Sequence, residues 1–410
     1  MYQRAGNLFT AANDPANALH AKIGFIRATA ETNSFGQIST YLTQELQTPF
    51  VQSHPHLRLW CLVAKGMTDI EVNVAAAKTD WEEAKALADS LGERGWSNRA
   101  SGELGLVAFL QGDSKRAARL VGGALLTSMA TGDAGGQVRY LELFGNAFNE
   151  LNRQEEALLF FNRAIKVSSD MPDMGFPFMA YEGKAQALTS LKRDSEAAAI
   201  LQRALAESKA EHKQGHETQI LILLGHLSLQ SGDAARGIDD LQEAGRLGSQ
   251  LGFYRMVAQA MFDLAGQYRR RGDLPDAVQR LQVGLAASQR IGDRYYLPRN
   301  LRALAELKAR TGDIREAHDL YQQAEDVIDG ILIHVPGAYT ESSLLGAMSD
   351  IYLEDFRLEA QQDDVPEAFA IIERARGRTA ADMLRTTQGD CRSPMPRGRS
   401  ATGLQRYRHA

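Results

Sequence analysis

The chain has 410 residues and a net charge of −5, which argues against a general nucleic-acid binder. No run of 18 apolar residues occurs, so no transmembrane helix is expected, and the two cysteines, Cys61 and Cys391, give neither a disulfide framework nor metal-ligand spacing. With 11 prolines and little β-branched clustering the composition reads as all-α, in a reducing, cytoplasmic compartment.

The start, Met1 to Asp14, has no apolar signal core and reads as the inside of a helix. That places the natural N-terminus upstream, where a signal peptide could precede it. Residues 1–97 are expected to form irregular helices. Gly6, Ala18 and Phe25 surround a turn at Asn13-Asp14. Asp80, Ala84 and Leu91 keep the same spacing around an expected turn at Thr79-Asp80, with Trp81 opening the helix that follows. Residues 26–75 are helical by pattern but out of phase. Cys61, within the apolar stretch Leu59 to Val63, is expected to be a buried free thiol.

From residue 98 to 337 the pattern becomes regular. A two-residue turn recurs every 40 residues: Gly112-Asp113, Asn152-Arg153, Lys192-Arg193, Gly232-Asp233, Gly272-Asp273 and Gly312-Asp313. Small residues keep step with it in three columns. One runs Gly105, Gly145, Ala185, Gly225, Ala265, Ala305; the next Ala117, Ala157, Ala197, Gly237, Ala277, Ala317; the last Ala124, Ala164, Ala204, Ala244, Gly284, Ala324. Large residues fill the gaps, among them Val121, Phe161, Leu201, Leu241, Leu281 and Tyr321. Small side chains let two antiparallel helices approach, and large ones at helical spacing fill the space beside them. The turn glycine tolerates the left-handed backbone that ends one helix, and the aspartate caps the next. A period of this size predicts six stacked helix pairs, each burying its apolar face against its neighbours.

These columns resemble the tetratricopeptide repeat, whose usual period is about 34 residues. The resemblance implies a right-handed α-solenoid of antiparallel helix pairs with a 40-residue period. It also implies that the first helix of each pair lines a concave face, here with Arg139, Glu142, Asn146 and Asn149 in unit two, and Met179, Glu182, Gln186 and Thr189 in unit three. Units four to six add Gln219, Ile222, His226, Leu229, Gln259, Phe262, Arg269, Arg270, Arg299, Arg302, Glu306 and Arg310. Asn146 and Asn149 resemble the amides of the family's carboxylate clamp, without its lysines. The arginines concentrate at one end, where a guanidinium can hold a carboxylate or phosphate bidentately. Asn146, Asn149, Gln186, His226, Arg269, Arg270, Arg299, Arg302 and Arg310 are therefore the candidate partner-binding residues, for a protein or peptide of acidic character. A solvated face with its arginines paired to local acids is the competing reading.

Residues 338–385 predict a long amphipathic helix, a turn at Asp363-Asp364-Val365-Pro366, and a second helix. The stretch Ile371 to Arg378 through Asp382-Met383-Leu384 resembles the junction in bacterial CHAT-domain proteins, where a repeat array leads into a caspase-like peptidase domain. The remaining residues, 386–410, predict a disordered basic tail with arginines and no lysine; an ordinary tail and a shifted reading frame are both open.

No catalytic constellation emerges. Cys391 and His409 lie in expected coil, which cannot hold a nucleophile and base together. His212 and His216, expected in a solvated loop, and His54 and His56 around Pro55 lack a third ligand. Gly132 to Gly136 lies between two helices and not after a strand, so it is no phosphate loop. No cofactor, metal or membrane partner is expected. The function read from the sequence is a non-enzymatic protein-interaction scaffold, the regulatory arm of a CHAT-type protein. The alternatives are a truncated caspase-like enzyme and the sensing arm of a bacterial transcription regulator, the latter disfavoured by the lack of a helix-turn-helix.

Overall fold

The computed structural model describes residues 1–28, 35–111, 113–171, 174–293, 295–333 and 343–375. Among the described residues the regular structure is entirely helical. The N-terminal helices are α1 (Tyr2–Ala11), α2 (Pro15–Ala28), α3 (Phe35–Leu46), α4 (Pro49–Gln52), α5 (Pro55–Val72) and α6 (Val74–Leu91). Six pairs follow: α7 (Arg94–Leu110) with α8 (Ser114–Thr131), α9 (Ala134–Glu150) with α10 (Gln154–Ser169), and α11 (Phe178–Ser190) with α12 (Asp194–Ala210). The array continues through α13 (Gln214–Gln230) with α14 (Ala234–Leu251), α15 (Tyr254–Arg271) with α16 (Leu274–Ile291), and α17 (Tyr296–Thr311) with α18 (Ile314–Ile333). The chain then forms α19 (Ser343–Gln361) and a further helix, α20, over 365–375.

From α5 to α18 each helix packs against the next, which makes an α-solenoid of antiparallel pairs. The turn chemistry is the expected one. Gly232, Gly272 and Gly312 have φ of +89°, +80° and +91°, and Asn152 and Lys192 take the same left-handed conformation at +55° and +61°. A lysine there costs roughly 1 kcal/mol, so its presence shows that the helix pair demands the turn. Asp113 and Asp233 cap α8 and α14 by accepting from the Arg116 and Arg236 amides at 2.9 and 3.1 Å. The extra length over a 34-residue repeat lies in the helices, many of which run 16–18 residues.

The small and large columns behave as a packing code. Ala157, Ala197, Ala277 and Ala317 are fully buried, and Val121, Phe161, Leu201, Leu241, Leu281 and Tyr321 are buried beside them. A Cβ on Gly105 would meet Val121 at 2.6 Å, and one on Gly225 would meet Leu241 at 2.8 Å. One column escaped the sequence reading: Ser128, Ser168, Ser208 and Ser288 are buried at the ends of α8, α10, α12 and α16, where the next helix starts.

Two expectations are corrected. Thr79-Asp80 is not a turn; α6 begins at Val74, where the Asn73 side chain accepts from the Ala75 and Ala76 amides. Asp80 mimics a cap in sequence but is held mid-helix by Lys65 Nζ, 2.9 Å away. His216 is not in a solvated loop; it lies on α13, stacked on Phe178 and 2.8 Å from Glu182 Oε1. The expected tail, 386–410, and the junction beyond residue 375 lie outside the described residues. The turn expected at 363–366 lies at 362–364, with Asp363 left-handed and the Asp364 side chain accepting from the Glu367 amide; Val365 and Pro366 open α20 instead.

The N-terminal helices also touch the array far along the chain. Arg255, at the start of α15, donates from Nη2 to Glu71 Oε2 at 2.7 Å and from Nε to Asp293 Oδ2 at 2.8 Å. Its guanidinium lies 5.3 Å from the centre of the Phe35 ring. One side chain thus joins α3, α5, α15 and the turn before α17.

Candidate partner-binding groove

Alternate helices touch along one side: α7 with α9, α9 with α11, α11 with α13, α13 with α15, and α15 with α17. Closer approach on that side curves the array inward, so the first helix of each pair lines the inner wall. At the α13, α15 and α17 end the wall opens into a concavity of about 570 Å³. His226, Arg269, Arg270, Arg299 and Arg302 all line it, brought together from three helices.

These side chains differ in what holds them. Arg302 makes a two-pronged contact with Glu354 of α19, Nε to Oε2 at 2.9 Å and Nη2 to Oε1 at 2.5 Å. Arg269 Nη1 donates to Glu306 Oε2 at 2.5 Å. Both are paired within the protein, to acids on other helices. Burial lowers the proton affinity of His226, but its Nε2 lies 2.6 Å from Asp263 Oδ2 and that carboxylate holds it above the ordinary histidine value. Among the described residues Arg270 has only the Gln267 amide oxygen, at 3.4 Å. Arg299 lies 3.5 Å from the centre of the Tyr295 ring, a cation–π contact that orients the guanidinium and leaves its N–H edges without a hydrogen-bond partner among the described residues. Neither has a carboxylate partner among the described residues. Four guanidinium groups and two carboxylates, Asp263 and Glu306, line the space.

Sequence reasoning missed the floor. Gly266 sits in the interior of α15 and faces the concavity, and a Cβ there would meet no atom within 4 Å. Packing therefore does not require it, although a mid-helix glycine costs about 1 kcal/mol against alanine. What it provides is partly accessible backbone lining the groove.

The other candidates lie elsewhere. Arg310 is exposed near the end of α17, and Gln186 is exposed on α11. Asn146 is half-buried on α9, and Asn149 donates from Nδ2 to the Gly183 carbonyl at 3.1 Å, tying α9 to α11. Two positions expected on the groove are buried instead: Ile222 is fully covered, and Glu142 is 8% exposed. The 40-residue register gave the right helix but not how far each helix rotates toward its neighbour.

Glu142 has a measurable consequence. Burial, opposed by Arg139 and His216 and reinforced by Glu182, pushes its carboxyl up to about 7 from 4.5. The folded protein then holds a proton that the unfolded chain has released, so this group's contribution to stability falls as pH rises from about 4.5 through about 7. Glu142→Gln is expected to stabilise by about 1–3 kcal/mol at pH 8 and to change little at pH 4.5. Urea unfolding of both proteins across that range checks it; equal stability at pH 8 would refute the assignment.

Residues 256–328 match a family model described as tetratricopeptide repeat. That stretch is similar to tetratricopeptide repeats. No curated protein matches the sequence. Among solved structures, a Rap protein crystallised with Competence and Sporulation Factor superposes with a TM-score of 0.54, at 14% identity, covering 94% of this chain and 97% of that one. A signal-transduction ATPase with numerous domains and a tetratricopeptide repeat sensor, from Pyrococcus horikoshii, gives a TM-score of 0.51 at 13% identity over 86% of this chain and 52% of its own. At these identities both are similar to this chain in fold. Among the described residues no helix is long and apolar enough to cross a membrane.

Proposed function

We propose that the chain is a non-catalytic interaction scaffold that takes an acidic peptide, or the C-terminal carboxylate of a protein partner, between α13, α15 and α17. The observation that carries this is the pair Arg270 and Arg299, two cations in a concavity with no carboxylate of their own among the described residues. Gly266 lets a bound backbone approach α15, and His226 and the paired Arg269 and Arg302 frame the site. Asn146, Asn149 and Gln186 extend the same wall toward the N-terminus, and Arg310 toward its outer end. The Rap protein, solved with a bound factor, and the ATPase, whose repeats are described as a sensor, support binding as the role of this fold. The sequence of 371–384 supports a place as the regulatory arm of a CHAT-type protein; its part beyond 375 lies outside the described residues.

The test is binding of the full chain to an array of acidic peptides carrying free or amidated C-termini. Arg270→Ala and Arg299→Ala are each expected to weaken retention about tenfold. Gly266→Ala is expected to weaken it too, while stabilising the protein by roughly 0.5–1 kcal/mol in urea unfolding. Unchanged retention by the Arg270/Arg299 double variant would sink the proposal.

A further inference from the structure

The helix pair that ends the array meets α19 at a cluster outside the groove. His318 of α18 points Nδ1 at Asp355 Oδ1, 2.9 Å away, and at Glu359 Oε1, 3.2 Å away. Asp355 and Glu359 are four residues apart on α19, which sets both carboxylates on one face. The candidate ligand atoms of the three residues lie within 4.8 Å of one another.

The charge balance is unusual. Four carboxylates bear on the cluster: Asp355, Glu359, Glu367 of α20, and Asp364. Among the described residues His318 is their one cationic partner, and no lysine or arginine pairs with any of them. The Asp355 side chain is fully buried, and its Oδ2 has no hydrogen-bond partner among the described residues. A buried carboxylate oxygen left unpaired costs about 1–3 kcal/mol or more. Burial pushes the Asp355 carboxyl up to about 6 despite the imidazole beside it.

We propose that His318 Nδ1, Asp355 and Glu359 form a binding site for one divalent transition-metal cation of the zinc type. Ligands about 2.0–2.1 Å from a tetrahedral ion stand about 3.3 Å apart, close to the two separations at Nδ1. Imidazole with two carboxylates suits zinc better than calcium or magnesium, which prefer all-oxygen shells. The far ring nitrogen, Nε2, lies 2.8 Å from the side-chain amide nitrogen of Gln322, with Glu367 Oε1 3.7 Å away. Turning that amide over presents its oxygen to the Nε2 N–H, and a ligating histidine commonly has such a support. The ion takes the place of the proton on His318 and gives the buried Asp355 a full partner. It fastens α19 to α18 without engaging any groove residue, so its failure and the failure of the peptide site are separate results.

The experiment is zinc titration of the chelator-treated full chain by calorimetry at pH 7.5, with metal content measured after dialysis. One zinc per chain is expected, with affinity lost at least about tenfold in His318→Gln and in Asp355→Asn. Retention in His212→Gln, a control far from the cluster, is also expected. Affinity falls as pH drops to about 5.5, because the proton competes for the imidazole. Circular dichroism confirms that each variant is folded; should His318→Gln unfold, Asp355→Asn, which keeps the side-chain shape, decides. No zinc uptake by the native chain, or uptake unchanged in the folded cluster variants, overturns the site.

Discussion

Phe161→Ala is expected to cost about 3–5 kcal/mol and to loosen α9 to α12 together. The ring is fully buried on α10, between two glycines of successive units. A Cβ on Gly145 of α9 would meet it at 2.5 Å, and one on Gly183 of α11 would come closer still. One aromatic side chain thus sets the spacing of both inner helices. Gly183→Ala alone is expected to cost about 1–3 kcal/mol through overpacking. In the Phe161→Ala background the same substitution should be neutral or stabilising, because the obstructing ring is gone and alanine favours helix. The coupling, about 1–3 kcal/mol, is the signature of direct contact. Hydrogen exchange on the full chain gives the location of the loss, since a solenoid unit is stabilised only by its neighbours. Additive effects of the two substitutions would show that Phe161 does not fix the spacing.

Asp293→Ala is the second large effect, about 2–4 kcal/mol, from two losses at one carboxylate. Oδ1 accepts from the Tyr295 and Tyr296 amides at 2.8 and 2.9 Å and starts α17. Oδ2 accepts from Arg255, whose other arm reaches Glu71. Asp293 is buried, whereas Arg255 keeps about a third of its side chain exposed, so the stranded guanidinium retains some hydration. Asp293→Asn should cost less, because an amide oxygen still caps the helix. Glu71→Ala should cost about 1 kcal/mol or less, as for a half-exposed pair. Its informative readout is faster hydrogen exchange in α3 and α5, with α17 unchanged. Equal exchange in α3 and α5 would mean that apolar packing alone holds the N-terminal helices there.

The array was legible because its determinants are local and repeated. A turn that needs a left-handed residue, a capping aspartate and small residues at fixed offsets act over a few positions, and six copies remove the ambiguity of one. The same locality misled at Thr79-Asp80. An aspartate before an apolar run looks like a cap, and only Lys65, on the neighbouring helix, shows that it is an ion-pair partner instead. The period placed His226, Arg269, Arg270, Arg299 and Arg302 on the first helices of their pairs, where they line one concavity.

The sequence by itself determined the helix pairs, their stacking and the wall that carries the arginines, because each depends on residues within one 40-residue unit. Only the tertiary structure decided which arginines are spent on Glu306 and Glu354, that Gly266 opens the groove floor, and that Glu142 is buried. It alone joined Glu71 to Arg255 across 184 residues, and His318 to Asp355 and Glu359 across a helix boundary. Those pairings follow from how far the stacked helices rotate and curve, which is summed over many interfaces and written in no single stretch of chain.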